Sequence, residues 1–123
     1  MTETIILLVD DSRVARMMTR AAVAKLRPDW VIIEAASGED ALSAIALDRP
    51  NYVLLDVNMP GIGGLETARQ LRFRCPSAAI SLLTANIQDS IREQAALIGA
   101  GFMAKPLKED ELIRFLDGGS KPS

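Results

Sequence analysis

Histidine is missing from the 123 residues, and cysteine occurs once, at Cys75. The first absence excludes a Ser-His-Asp triad, a histidine-ligated metal and a phosphohistidine carrier. The second excludes an internal disulfide and any multi-cysteine zinc site. An excess of basic charge is missing too. Fourteen Lys and Arg against sixteen Asp and Glu leave a net charge of −2, so the chain carries no electrostatic footprint for nucleic acid. No apolar run approaches the ~20 residues of a membrane helix. The opening run Ile5–Val9 is too short for a signal-peptide core, and no cleavage-type segment follows it. These absences predict a cytoplasmic protein with neither nucleic acid nor membrane as partner. They leave carboxylates, Lys, Arg and the hydroxyls of Ser and Thr to do any chemistry.

An apolar fraction of 49% in a chain of this length is enough for one domain around one core. Five short apolar runs alternate with five longer segments of helical period. The runs are Ile5–Val9, Trp30–Ala35, Tyr52–Leu55, Ala79–Leu83 and Gly101–Ala104. Most are continuous rather than alternating in polarity, as in parallel strands covered on both faces. Between them, Ser12–Leu26 carries Val14, Met17, Met18, Ala21, Ala22 and Leu26 as a helical stripe. Ser37–Leu47 opens like a capping box, and Leu65–Phe73 and Gln88–Ile98 come next with helical spacing. In the latter, Ile87, Ile91, Ala95 and Ile98 form one face, and Gly99 suits the stop. A last helix from about Lys108 to Leu116 begins acidic, as the helix dipole favours. The pattern predicts a (βα)₅ α/β fold, a doubly wound three-layer sandwich. The expected domain is 1–117, with 118–123 as a flexible tail.

Open parallel sheets bind ligands outside the carboxyl ends of their strands, so the residues just past each apolar run matter most. Asp10-Asp11 succeeds the first run, Asp56 the third, Thr84 the fourth and Lys105 the fifth. The second ends in Ala35-Ala36-Ser37, away from any such group. Each residue alone has a bland reading. An Asp at a strand end often caps the next helix, Thr84 is an ordinary strand residue, and Lys105 an ordinary solvated charge. Asn58-Met59-Pro60-Gly61 reads as a turn. Taken together, three carboxylates, a hydroxyl and an amine on one edge have little structural purpose. Clustered carboxylates bind hard divalent cations through oxygen. Asp56, ionised at neutral pH by its reference pKa of about 3.9, can accept a phosphoryl group without a general base. Phosphoryl transfer asks mainly for positioning and charge neutralisation, which a metal and Lys105 would provide.

The chain resembles the receiver domains of two-component response regulators, especially the stand-alone chemotaxis type. The matching stretches are Val9-Asp10-Asp11-Ser12, Leu55–Gly64, Leu83-Thr84-Ala85 and Gly99–Pro106, in the family's order and spacing. The resemblance implies a flavodoxin-like five-stranded parallel sheet of order 2-1-3-4-5. It implies Asp56 as phosphoacceptor and Mg2+, with Mn2+ a possible substitute, held by Asp10, Asp11, Asp56 and the backbone carbonyl of Asn58. Thr84 and Lys105 would bind the phosphoryl group, with Ala85 and Pro106 in support. Phe102 holds the place of an inward-turning switch aromatic, for which plain core packing is the alternative. Asn58 and Asn86 are candidate tuners of the phosphoryl lifetime. The Lys105-Pro106 bond is expected to be cis. Two positions depart from the family: Phe102 stands where many relatives carry Tyr, and Gly63 where Asp or Asn is common.

By the same resemblance, the phosphodonor is a histidine kinase or histidine phosphotransfer protein. The chain is then a switch that catalyses only its own phosphorylation and dephosphorylation. Arg13, Arg16 and Arg20, spaced three and four apart, form a candidate stripe for docking the donor, although a solvated helix face is the commoner explanation for such a stripe. The altered surface would be the fourth helix, fifth strand and fifth helix, acting on a downstream target the sequence does not name. The expected oligomer is a monomer or a weak phosphorylation-linked dimer. Output by partner binding is expected if the chain stands alone, and Gly118–Ser123 would also suit the start of a linker in a longer regulator or hybrid kinase. A flavodoxin would need a phosphate loop where Asp10-Asp11 would repel phosphate, and Gly-x-Gly-x-x-Gly and Walker loops are missing. An aspartyl-phosphate phosphatase would place two acids two apart after the first strand, unlike Asp10-Asp11-Ser12-Arg13. A phosphorylation-independent pseudo-receiver remains the interaction-protein alternative.

Overall fold

The computed structural model describes residues 3–119. Strands and helices alternate as β1 (Ile5–Val9), α1 (Arg13–Leu26), β2 (Val31–Ala35), α2 (Gly38–Ala44), β3 (Tyr52–Asp56), α3 (Gly63–Arg74), β4 (Ala79–Thr84), α4 (Asp89–Ile98), β5 (Gly101–Ala104) and α5 (Glu109–Arg114). The five strands form one sheet in the order β2-β1-β3-β4-β5, and every neighbouring pair is parallel. The expected doubly wound sandwich is therefore the observed one. After α5 the chain continues in a wider turn over Phe115–Gly119, with Gly118 at φ 95°. Of the expected tail, residues 120–123 lie outside the described residues.

Alternate strand residues divide the core into two layers. Leu7, Val9, Val53, Leu55, Ile80 and Leu82 pack with Ala41, Ala68, Leu71 and Ile98 of α2, α3 and α4. Ile6, Leu8, Leu54, Leu83 and Met103 pack with Val23, Leu112, Phe115 and Leu116 on the α1 and α5 side. Burying each such Leu or Ile stabilises the fold by roughly 1.5–3 kcal/mol relative to exposure. Covered on both faces, the central strands have no use for alternation, hence their continuous apolar runs. At the far end of the sheet, Tyr52 stacks on Trp30 and meets the Phe115 ring edge-on.

The apolar stripe of α1 needs correction. Val14, Met17 and Met18 are exposed, as is Ala21, while Ala15, Thr19, Ala22, Val23 and Leu26 face the sheet. Positions 14, 17, 18 and 21 form their own helical face, turned away from 15, 19, 22, 23 and 26. Two adjacent faces thus read as one broad stripe in the sequence. Helix ends obey local chemistry: Ser12 caps α1 by accepting from the Ala15 N–H, and Ser37 caps α2 by accepting from Asp40. Gly99, at φ 73° and ψ 35°, ends α4 in the left-handed conformation.

Candidate functional site

Parallel pairing brings the carboxyl ends of β1, β3, β4 and β5 to one edge, and their final residues meet there. Asp10 directly succeeds β1, Asp56 ends β3, Thr84 ends β4 and Lys105 directly succeeds β5. Asp10, Asp56 and Thr84 are buried, whereas Asp11 is exposed. One oxygen from each of Asp10, Asp11 and Asp56 lies within 4.8 Å of the others. Such a set of hard oxygen donors suits a divalent cation bound by few carboxylates and several waters. The sheet is what makes the set possible: residues 10 and 56 are distant in sequence, but β1 and β3 pair in register from Ile6 with Tyr52 to Val9 with Leu55.

Lys105 already supplies one positive charge to this cluster. Its ammonium donates to Asp10 Oδ2 at 3.0 Å and stands 3.4 Å from Asp56 Oδ1. Burial works against the charge of Lys105, but the hydrogen bond to Asp10 and the charges of Asp56 and Asp10 outweigh it, and its pKa is raised. For Asp56, burial raises the pKa from its ordinary value, against the opposing pull of Lys105 and the Asn58 N–H. Its ionisation is therefore less favourable than the reference value alone predicts. A cation beside it would restore the balance.

Two local turns repeat the same device. The Asn58 N–H donates to Asp56 Oδ1 at 3.2 Å, and the Asn86 N–H donates to Thr84 Oγ1 at 3.2 Å. Thr84 Oγ1 in turn donates to the Asn86 carbonyl at 3.1 Å. The two Asn residues thus meet the site through their backbones. Phe102, on β5, is half-buried, with the Arg92 guanidinium of α4 at 5.1 Å from its ring centroid. Ala85 and Pro106, next to Thr84 and Lys105, are exposed, and the Lys105-Pro106 bond is cis.

The loop after Asp56 closes tightly onto α3. A Cβ on Gly64 would lie 2.3 Å from the Asp56 carbonyl oxygen and 2.6 Å from the Val57 Cα, so only glycine fits there. Gly63 has φ 78° and open space around it. That left-handed position favours glycine and is one Asn and Asp also tolerate.

A family model described as the response regulator receiver domain matches residues 6–117. The chain belongs to that family. It is 40% identical over 111 residues to the response regulator MprA of Mycolicibacterium vanbaalenii, a match covering 88% of this chain and 46% of that protein. It is 34% identical over 119 residues to the positive alginate biosynthesis regulatory protein of Pseudomonas aeruginosa, covering 96% of this chain and 48% of that one. The chain thus spans about half the length of these curated relatives. Among solved structures, the chemotaxis protein CheY4 of Vibrio cholerae superposes with a TM-score of 0.85 at 26% identity, covering 95% of this chain and 98% of that one. This receiver domain also has, among its described residues, no helix long and apolar enough to cross a membrane.

The candidate docking arginines separate in the structure. Arg13 is exposed, but Arg16 and Arg20 both turn to Glu34 of β2, at 3.1 and 2.9 Å. Arg16 also donates to the Asp10 carbonyl at 2.5 Å. Sequence spacing places these arginines on one helix without revealing Glu34, which comes from the neighbouring strand. The Arg92–Phe102 contact is likewise not legible in the sequence, because it joins α4 to β5 across a turn.

Proposed function

We propose that this receiver domain accepts a phosphoryl group on Asp56 from a phosphohistidine of a histidine kinase or phosphotransfer protein, in the cytoplasm, and thereby changes its α4–β5–α5 surface. The reading rests above all on the ammonium of Lys105 shared between two buried carboxylates from different strand ends. An Asp56 carboxylate oxygen would attack phosphorus as the donor imidazole leaves, giving an aspartyl phosphate. Lys105 would neutralise charge on the transferred group. Thr84 would exchange its bonds to Asn86 for one to a phosphoryl oxygen, and Phe102 would move into the vacated space.

Asp10, Asp11, Asp56 and the Asn58 carbonyl are the residues suited to hold Mg2+ or Mn2+. Such an ion would supply charge neutralisation at the phosphoryl oxygens. The chain would act as a switch with no other enzymatic reaction, biasing a surface that already has two arrangements. Donor docking suits the exposed Val14, Met17 and Met18 of α1 better than Arg16 and Arg20, whose charges already meet Glu34. The decisive experiment is labelling with a small phosphodonor and Mg2+ and then measuring intact mass. Wild type should gain one phosphoryl group and Asp56→Ala none; equal labelling of the two defeats the proposal.

A further inference from the structure

Asp10 is held at four points, and three of them come from outside the strand-end cluster. Its N–H donates to the Ala35 carbonyl of β2 at 3.1 Å. Its Oδ1 accepts from the Ser12 N–H at 2.9 Å, and its Oδ2 accepts from Lys105 at 3.0 Å. The fourth point is its carbonyl, which accepts from Arg16 Nη1 at 2.5 Å. That guanidinium is itself fixed, because its Nε donates to Glu34 Oε1 while Glu34 Oε2 accepts from Arg20. The Arg16 side chain is only 14% exposed, so the arrangement differs from a pair of solvated surface charges.

We infer that Arg16 is a positioning residue for the metal-binding acids, held in that role by Glu34. By fixing the carbonyl between Asp10 and Asp11, it sets the peptide that carries both carboxylates into the cluster. Glu34 lies on β2, the strand that contributes no carboxylate, hydroxyl or amine to the site, so β2 acts on the site through this relay as well as through the Ala35 carbonyl. The inference rests on reading the cluster as a divalent-cation site. Charge alone predicts the opposite sign: a guanidinium beside the acids repels a cation, and its removal should tighten binding. Positioning predicts that removal weakens binding in spite of that relief.

The test is a Mg2+ titration of the unphosphorylated chain, read by the amide chemical shifts of residues 10–12. Arg16→Met should weaken binding by about tenfold, the lower end for outer partners of metal ligands. Arg16→Lys, which keeps a donor and the charge, should recover most of the loss. Glu34→Gln should weaken binding by a smaller factor in wild type and add nothing in the Arg16→Met background, since contacts in one relay are not additive. Unchanged or tighter binding by a folded Arg16→Met overturns the inference. If that variant does not fold, Glu34→Gln decides, and wild-type affinity there overturns it equally. Failure of the site itself looks different: wild type and Asp11→Asn would then bind Mg2+ alike.

Discussion

At the ends of β1 and β3, Asp10 and Asp56 share the Lys105 ammonium across strands. On the next strand, β4, Thr84 spends its hydroxyl on the backbone of Asn86 in its own loop. Phe102 lies under Arg92, from the helix that precedes it. The first region is assembled by long-range contacts before any ligand arrives. The second is tied by local contacts, which a phosphoryl group would have to displace under the proposed function. Binding residues benefit from being held in place, whereas a switch needs a second arrangement within a few kcal/mol of the first. Under the proposed function, one edge of the sheet thus combines a fixed half and a convertible half, with Lys105 bonded to both through its ammonium and its backbone N–H to the Thr84 carbonyl.

Removing Lys105 should break this comparison most severely. Lys105→Ala leaves Asp10 and Asp56 buried without their cation. Breaking a fully buried pair costs about 3–5 kcal/mol. With the Lys105 side chain 28% exposed, solvent screening reduces the expected loss to roughly 2 kcal/mol. Thermal unfolding in chelator should show that loss, and millimolar Mg2+ should recover most of it by neutralising the same acids. After treatment with a phosphodonor, amide shifts in α4 and α5 should move in wild type and stay fixed in Lys105→Ala. A Lys105→Ala protein as stable as wild type in chelator would show that the ammonium does not hold the first region together.

A smaller effect, of opposite sign, is expected at Asp56. Because burial raises its pKa in the folded chain, the ionised form is disfavoured by folding. Asp56→Asn should therefore stabilise the metal-free protein at neutral pH and raise its midpoint of thermal unfolding. The sign fixes the pH window. The gain should be full above the raised folded pKa, shrink as pH falls through it, and vanish below the ordinary carboxylate pKa, where both side chains are neutral. A gain that persisted in acid would assign the effect to packing rather than to charge.

Legibility in the sequence divides along the same line. Strand ends are legible because parallel strands buried on both faces read as continuous apolar runs, and topology then brings Asp10, Asp56, Thr84 and Lys105 to one edge. The inward face of α1 is not legible. Small and polar Ala15, Thr19 and Ala22 are half-buried, while larger Val14, Met17 and Met18 are exposed. Hydrophobicity favours the wrong side of that helix. Arg16 misleads for a related reason. Its spacing with Arg13 and Arg20 suggests a surface stripe, and the residues that claim it, Glu34 and the Asp10 carbonyl, depend on how β1, β2 and α1 come together.

The smallest predicted effect probes the convertible half directly. The Arg92 guanidinium above the Phe102 ring is an exposed cation–π contact, worth ~0.5–1 kcal/mol. It favours the ring where it now lies, so replacing Arg92 by Met should move population toward the alternative ring position by about two- to fivefold. Ring proton shifts of Phe102 in the unphosphorylated protein should therefore move part of the way toward their values in phosphorylated wild type. The metal affinity of the acid cluster should stay unchanged, because Arg92 touches the fixed half nowhere among the described hydrogen bonds and ion pairs. Arg92→Met with wild-type Phe102 shifts would leave the ring position to core packing alone. If metal affinity changed as well, the two halves would be coupled even before phosphorylation, and the division drawn between them would fail.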